Sequence, residues 1–416
     1  LIQRKLKMDE KQKISILSFL PLMFIILAFY FDSPTNIIKG LYQIVINPDL
    51  LLTDYIAVGG AGATLINSAI LTLINIYILY KLNIKITGLP IAAIFTIAGF
   101  SFFGKNIVNV WPIYIGGYLY CKHQGVKFKS IALIIMFGTA LAPLVSQLMY
   151  GTTLSDPIAL LVGITLGILT GFILPTLASH MIRFHDGYNL YNVGFTAGVI
   201  GTVIISILRS YGAIIEAQMI ISKEYDLFFK LFFTFFSLLL LFIGYWMNGK
   251  SLNGYRELLW YSGRTVTDFT QLTSYGITFI NMGIMGMISL IYIIMSGGII
   301  NGPIIGGILT VMGFSAFGKH PKNTIPILLG VYMATLTKLW EPNSTAVIIA
   351  GLFGTTLAPI PGTYGWGVGI LTGFLHLSVV MNVGYLHGGI NLYNNGFAGG
   401  IVAGVLTPIM DAFTKD

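Results

Sequence analysis

Three motifs in this chain occur twice and in the same order, and that duplication constrains the fold more than any other feature. Gly99-Phe-Ser-Phe-Phe-Gly-Lys105-Asn106 returns as Gly313-Phe-Ser-Ala-Phe-Gly-Lys319-His320. Phe137-Gly-Thr-Ala-Leu-Ala-Pro143 returns as Phe353-Gly-Thr-Thr-Leu-Ala-Pro359, and His185-Asp-Gly-Tyr-Asn-Leu-Tyr-Asn192 as His387-Gly-Gly-Ile-Asn-Leu-Tyr-Asn394. A duplicated chain can bury one half against the other. When it is also apolar, duplication marks a membrane protein with a pseudo-two-fold axis and a site between the halves.

The chain is that apolar. Of its 416 residues 55% are hydrophobic and only 9% charged, against about 25% charged in a soluble domain. Apolar runs near twenty residues exclude a β-barrel, whose segments are about ten alternating residues long. The expected class is therefore an all-α polytopic membrane protein. The net charge of +8 reads as topogenic loop charge and not as a nucleic-acid surface. Cys121 is the single cysteine, which excludes an intrachain disulfide and a cysteine-based metal cluster.

Each half divides into seven apolar segments, roughly 14–31, 54–81, 87–103, 107–122, 129–150, 156–182 and 188–209, then 228–247, 268–296, 302–318, 323–338, 344–360, 365–384 and 391–410. The boundaries place an N-terminal repeat at 1–211, a linker at 212–227 and a C-terminal repeat at 228–416. A polar stretch near 35–50, with Asn47-Pro48-Asp49, should lie along the membrane interface, with 249–266 as its counterpart.

The third and fourth segments are short. At 1.5 Å per residue they reach only ~25 Å, less than the ~30 Å hydrocarbon core. Each pair reads as a re-entrant hairpin with its tip at membrane depth, or else as two short tilted spans. Irregular backbone at that depth survives only inside protein or beside a wet cavity, so either reading puts the tips in an interior. Five spans plus a hairpin, or seven spans, is an odd count of passes either way, which favours inverted repeats. Loop charges agree when Lys250, Arg256, Arg264, Lys319, Lys322 and Lys415 are counted on the inner side with the N-terminus.

Lys105 and Lys319 are the leading functional candidates. A lysine at a break inside the membrane costs at least ~2.5–3.5 kcal/mol, and one that served nothing would hardly recur. The pair points to an anion site, unless both amines snorkel to water. Asn106, Asn109, His320 and Asn323 supply further polar groups at the tips. Asn189, Asn192, Asn391 and Asn394 form a second constellation, to be read either as solute ligands or as helix caps, with Tyr191 and Tyr393 lining the path. Asp54 and Asp268 open matched segments and read first as helix caps, or as countercharges facing the lysines. Thr139 and Thr355, beside Pro143 and Pro359, are candidate pore-lining hydroxyls.

The layout resembles the dicarboxylate/sodium and citrate/sodium symporter families, secondary transporters with two inverted repeats and re-entrant hairpins. The likeness is architectural: the Ser-Asn-Thr type tips of those families are replaced here by Gly-Lys-Asn and Gly-Lys-His. Through its FGK, FGT-LAP and NLYN-GF elements the chain also resembles an uncharacterised family of multi-pass bacterial membrane proteins.

The expectation is a secondary transporter of a small polar or anionic solute in a bacterial cytoplasmic membrane, with the N-terminus inside. A channel-like facilitator of the urea-transporter type is the alternative. No enzyme signature, cofactor or nucleic-acid partner is expected; a coupling ion, H+ or Na+, and a homo-oligomer are compatible with the pattern.

Overall fold

The computed structural model describes residues 8–50, 52–152, 154–213, 215, 219–337 and 339–414. The first half contains α1 (Glu10–Phe31), α2 (Pro34–Ile46), α3 (Ala61–Lys81), α4 (Gly88–Phe100), α5 (Trp111–Gln124), α6 (Ala132–Tyr150), α7 (Asp156–His185) and α8 (Asn192–Ser210). The second contains α9 (Asp226–Met247), α10 (Tyr275–Met295), α11 (Gly302–Phe314), α12 (Pro321–Thr335), α13 (Thr345–Leu357), α14 (Trp366–Val383) and α15 (Asn394–Thr414). Nine of these helices among the described residues are long and apolar enough to cross a membrane. The protein is an all-helical membrane protein, as its composition demands.

Local sequence sets the helix starts. Asp9 closes a capping box with Gln12 at the start of α1, while Ser33 caps α2 ahead of Pro34. Asn301 and Ser344 accept the Ile304 and Val347 amides at the starts of α11 and α13. Both α6 and α13 tighten into a 3-10 turn, Thr139–Leu141 and Thr355–Leu357, just before Pro143 and Pro359. A proline next to such a turn cannot donate the bond that would continue the helix.

α4 and α11 form the centre. At 13 residues each they reach only ~20 Å, and almost every side chain on them is buried. They cross where Gly99 approaches Gly306 and Leu309, and where Gly313 approaches Ala92 and Phe95. Small residues at a crossing let two backbones come close where no water drives them together. By contrast α1, α7, α9 and α14 keep most of their apolar surface outward, as lipid-facing helices do.

Contacts between the halves recur with the halves exchanged. Leu190 N donates to Thr356 O at 3.0 Å, and its counterpart Leu392 N donates to Ala140 O at 3.1 Å. Asn189 Nδ2 donates to Gly396 O at 2.9 Å, and Asn391 Nδ2 to Gly194 O at 3.2 Å. The halves diverge before α3 and α10: residues 34–50 contain the full helix α2, whereas 249–266 is helical only over Tyr255–Leu258.

Candidate functional site

Each Gly-Lys motif forms a tight tip after its central helix. Gly104 and Gly318 adopt φ of 89° and 96°, a region that glycine enters without steric cost. Asn67 on α3 donates to the carbonyls of Ser101 and Lys105, both at 2.8 Å. Asn281 on α10 makes the same pair of bonds to Ser315 and Lys319, both at 2.7 Å. Asn109 and Asn323 close the tips from the other side, accepting from Asn106 N at 2.8 Å and His320 N at 2.9 Å. Asn67 and Asn281 sit inside apolar runs, with no motif around them to mark a role.

The two lysines are buried, not snorkelling: Lys105 is 1% and Lys319 0% exposed. Lys319 therefore does not act as a surface loop charge, a correction to the count that placed it among the inward charges. Its ammonium donates to Tyr191 Oη at 2.5 Å and Thr355 Oγ1 at 2.7 Å. It also lies 4.5 Å from the ring centre of Tyr191 and 5.4 Å from that of Phe314, where ring quadrupoles attract a cation. Lys105 Nζ lies 5.1 Å from the ring centre of Phe100, and it has no hydrogen-bond partner among the described residues. Neither amine meets a carboxylate within ion-pair distance among those residues.

An aromatic cluster joins the two. Phe100 contacts Tyr393 with centroids 4.6 Å apart, Tyr393 contacts Tyr191 at 5.2 Å, and Tyr191 contacts Phe314 at 4.7 Å. Phe353 and Phe137 flank it, 5.4 Å from Phe100 and 5.7 Å from Phe314. The arrangement is duplicated in its rings but not in its polar bonds. The counterparts of Tyr191 and Thr355 are Tyr393 and Thr139. Tyr393 Oη is buried without a partner among the described residues; Thr139 Oγ1 donates to Met136 O at 2.7 Å as Thr355 Oγ1 does to Leu352 O at 2.6 Å, but Thr355 alone of the two accepts from a lysine as well. A cavity of about 210 Å³ opens beside the cluster, with Phe137, Tyr191, Asn192, Thr265, Phe314 and Tyr393 in its wall. A larger hollow of about 330 Å³ between α1, α4 and α9 is walled almost wholly by hydrocarbon and lies away from the lysines.

The other candidates hold the fold. Asn189 Oδ1 accepts from Tyr191 N at 3.2 Å and from Thr356 Oγ1 at 2.6 Å. Asn391 Oδ1 accepts from Tyr393 N at 3.0 Å. Asn192 bridges His185 Nε2 at 3.1 Å to Ala178 O at 2.9 Å, and Asn394 bridges His387 Nε2 at 2.8 Å to Val380 O at 3.1 Å. Each of the four amides thus hydrogen-bonds to the chain through both its nitrogen and its oxygen, pinning the loops ahead of α8 and α15.

Asp54 and Asp268 are caps as their position suggests, accepting from Ile56 N at 2.9 Å and Thr270 N at 3.0 Å. Each also reaches the opposite half. Asp268 accepts from Gly88 N, at the start of α4, at 2.9 and 3.1 Å, and Asp54 Oδ1 stands at Gly302, the start of α11. They complement helix starts and do not pair with the lysines.

The tips differ most at Asn106 and His320. His320 Nε2 contacts Tyr261 O at 2.8 Å, and Asn323 Nδ2 reaches Ser262 O at 3.2 Å, so backbone closes the second tip. Over the first tip lies Asp49, fully buried, among Tyr55, Asn106, Asn109 and Ser146. Only a polar Asn-Pro-Asp turn marks this carboxylate in the chain.

Family membership follows from the sequence span that carries these features. A model of the family described as a protein of unknown function, DUF1576, matches residues 33–210 and 247–412. The chain belongs to the DUF1576 family. The match covers both Gly-Lys tips, both Asn-Leu-Tyr-Asn loops and Asp49. No curated protein and no solved structure matches this DUF1576 chain.

Proposed function

We propose that this protein is a secondary transporter that moves a small anionic solute through a site between its two halves. The observation that carries the reading is the burial of Lys105 and Lys319, with no carboxylate paired to either among the described residues. An uncompensated buried charge costs several kcal/mol, and an intramembrane lysine marks a solute pathway by default. An anion drawn between the amines supplies the charge that the chain itself withholds. Tyr393 Oη, buried and without a partner among the described residues, offers it a hydrogen bond.

The ring contacts of Tyr191 with Tyr393 and Phe314 close the space between the lysines, which favours a carrier that rearranges over a fixed pore. Reciprocal contacts between the halves support a pseudo-two-fold axis. With five passes per half, α13 counted in the second beside its four longer helices, that axis lies in the membrane plane, making the repeats inverted. We place the protein in a bacterial cytoplasmic membrane with its N-terminus inside.

Counterflow in proteoliposomes tests the reading. Vesicles loaded with acetate, succinate, benzoate or phosphate are diluted into the same anion carrying label. A carrier transiently accumulates label for at least one of them, and Lys319→Met abolishes the overshoot. Equilibration without overshoot means a pore; no flux of any anion overturns the proposal.

A further inference from the structure

The mechanism outlined for the lysines leaves Asp49 unused. It is wholly buried, and its two oxygens are treated very differently. Oδ2 accepts from Tyr55 Oη at 2.7 Å, from Asn109 Nδ2 at 3.2 Å and, more weakly, from Asn106 Nδ2 at 3.4 Å. Oδ1 has no hydrogen-bond partner among the described residues. Ser146 Oγ stands at the same point, 2.9 Å from Asn109 Nδ2.

The groups facing the carboxylate come from several elements. Tyr55 belongs to the short helix Tyr55–Gly59, Asn106 and Asn109 to the first tip, Ser146 to α6, and Ile44 O near Asn106 to α2. Tyr55 is the one titratable side chain among them. Lys105, on the same tip, turns its ammonium to Phe100. The second half repeats the amide lock of Asn323 but has backbone where the carboxylate would be.

We propose that Asp49 is a reversible proton-binding site, taking H+ at Oδ1 and releasing it again. The step is a simple protonation: an O–H bond forms at Oδ1, the carboxylate charge is cancelled, and no redox partner is needed. Three donors on Oδ2 stabilise the ionised form, while complete burial opposes it, so the two forms are held in balance. The same donors disfavour a metal ion, since two of them are amide nitrogens that carry hydrogens and lack lone pairs. No group of three or more His, Cys, Asp or Glu suited to a metal occurs among the described residues. Protonation weakens the hold of Oδ2 on Asn106 and Asn109, linking proton uptake to the tip that carries Lys105. The proton site stands by itself; only its use in coupling rests on the transport reading.

Infrared difference spectroscopy of the purified full chain, taken between about pH 8 and about pH 5.5, tests this directly. Exposed carboxylates remain ionised across that window. The expected spectrum shows a protonated-carboxyl C=O band appearing on acidification, and Asp49→Asn removes it. Tyr55→Phe deletes a donor to the anion and shifts the band's midpoint to higher pH, and this variant decides the matter if Asp49→Asn does not fold. A band that persists in Asp49→Asn, or a midpoint unmoved in Tyr55→Phe, overturns the proposal. So does a sodium-dependent rise in melting temperature that is lost in Asp49→Asn, which would make the ligand a metal cation. Absence of anion transport alongside a titrating Asp49 would remove the transport reading and leave the proton site intact.

Discussion

The ammonium of Lys319 lies 2.5 Å from the hydroxyl of Tyr191, so a buried charge in one half is satisfied by the other. Lys105, its counterpart, has no such bond. That contrast divides the two lysines energetically although their sequence settings are nearly the same.

Replacement by methionine should therefore have opposite effects. Lys105→Met removes an unpartnered buried polar group and should leave stability unchanged or raise it by up to about 1–3 kcal/mol. Lys319→Met strands Tyr191 Oη and should lower stability by about 1–3 kcal/mol. Thermal melting of the two variants in the same detergent measures the difference. Equal losses in both would show that the polar network does not distinguish them.

Asp268 carries a second link between the halves, accepting from Gly88 N as well as from Thr270 N and Thr270 Oγ1. Asp268→Ala should destabilise by at least about 1.5–3 kcal/mol, the scale of one hydrogen bond to a charged group. Asp268→Asn should cost less, because one amide oxygen can still accept. Chemical denaturation of both variants checks the order.

The tip glycines should also differ. Alanine at either position occupies a left-handed conformation at about 1–2 kcal/mol. At Gly318 a Cβ would in addition lie 2.6 Å from the Gly263 carbonyl oxygen, which is backbone and cannot swing aside. At Gly104 the nearest obstacle is the Leu392 side chain, which can. Gly318→Ala is expected to melt several degrees below Gly104→Ala; the reverse order would contradict the tip geometry.

Much of this was legible in the chain itself. The long apolar runs announced an all-helical membrane protein, the short third and fourth segments announced buried tips, and Thr-Asp pairs announced caps. Residues whose role depends on what crosses from the other half were not legible. Nothing near Asn189 and Asn391 in the chain points to the carbonyls of Gly396 and Gly194 to which they donate. Asn67 and Asn281 are single amides within apolar helices, and a helical period says nothing about a carbonyl 34 residues away. Asp49 belongs to one half only, so the duplication that exposed the lysines could not expose it.

Asn192 offers a control for the assignment of roles. It is fixed to His185 and Ala178, so Asn192→Ala should lose about 1–3 kcal/mol of stability. Its response to added anion should match that of the wild type. A lost anion response at full stability would return Asn192 to the solute site.

The central claim is that Lys105 and Lys319 together form an anion site, and ligand-induced thermal stabilisation tests it most directly. A ligand that binds only the native protein stabilises it by about 2.7 kcal/mol at a hundredfold excess over its dissociation constant, and so raises its melting temperature. Acetate, succinate, benzoate and phosphate are titrated against wild type and the Lys105→Met/Lys319→Met double variant. At least one anion should raise the wild-type melting temperature and none should raise that of the variant. An equal rise in both proteins, or none in the wild type, would contradict the account.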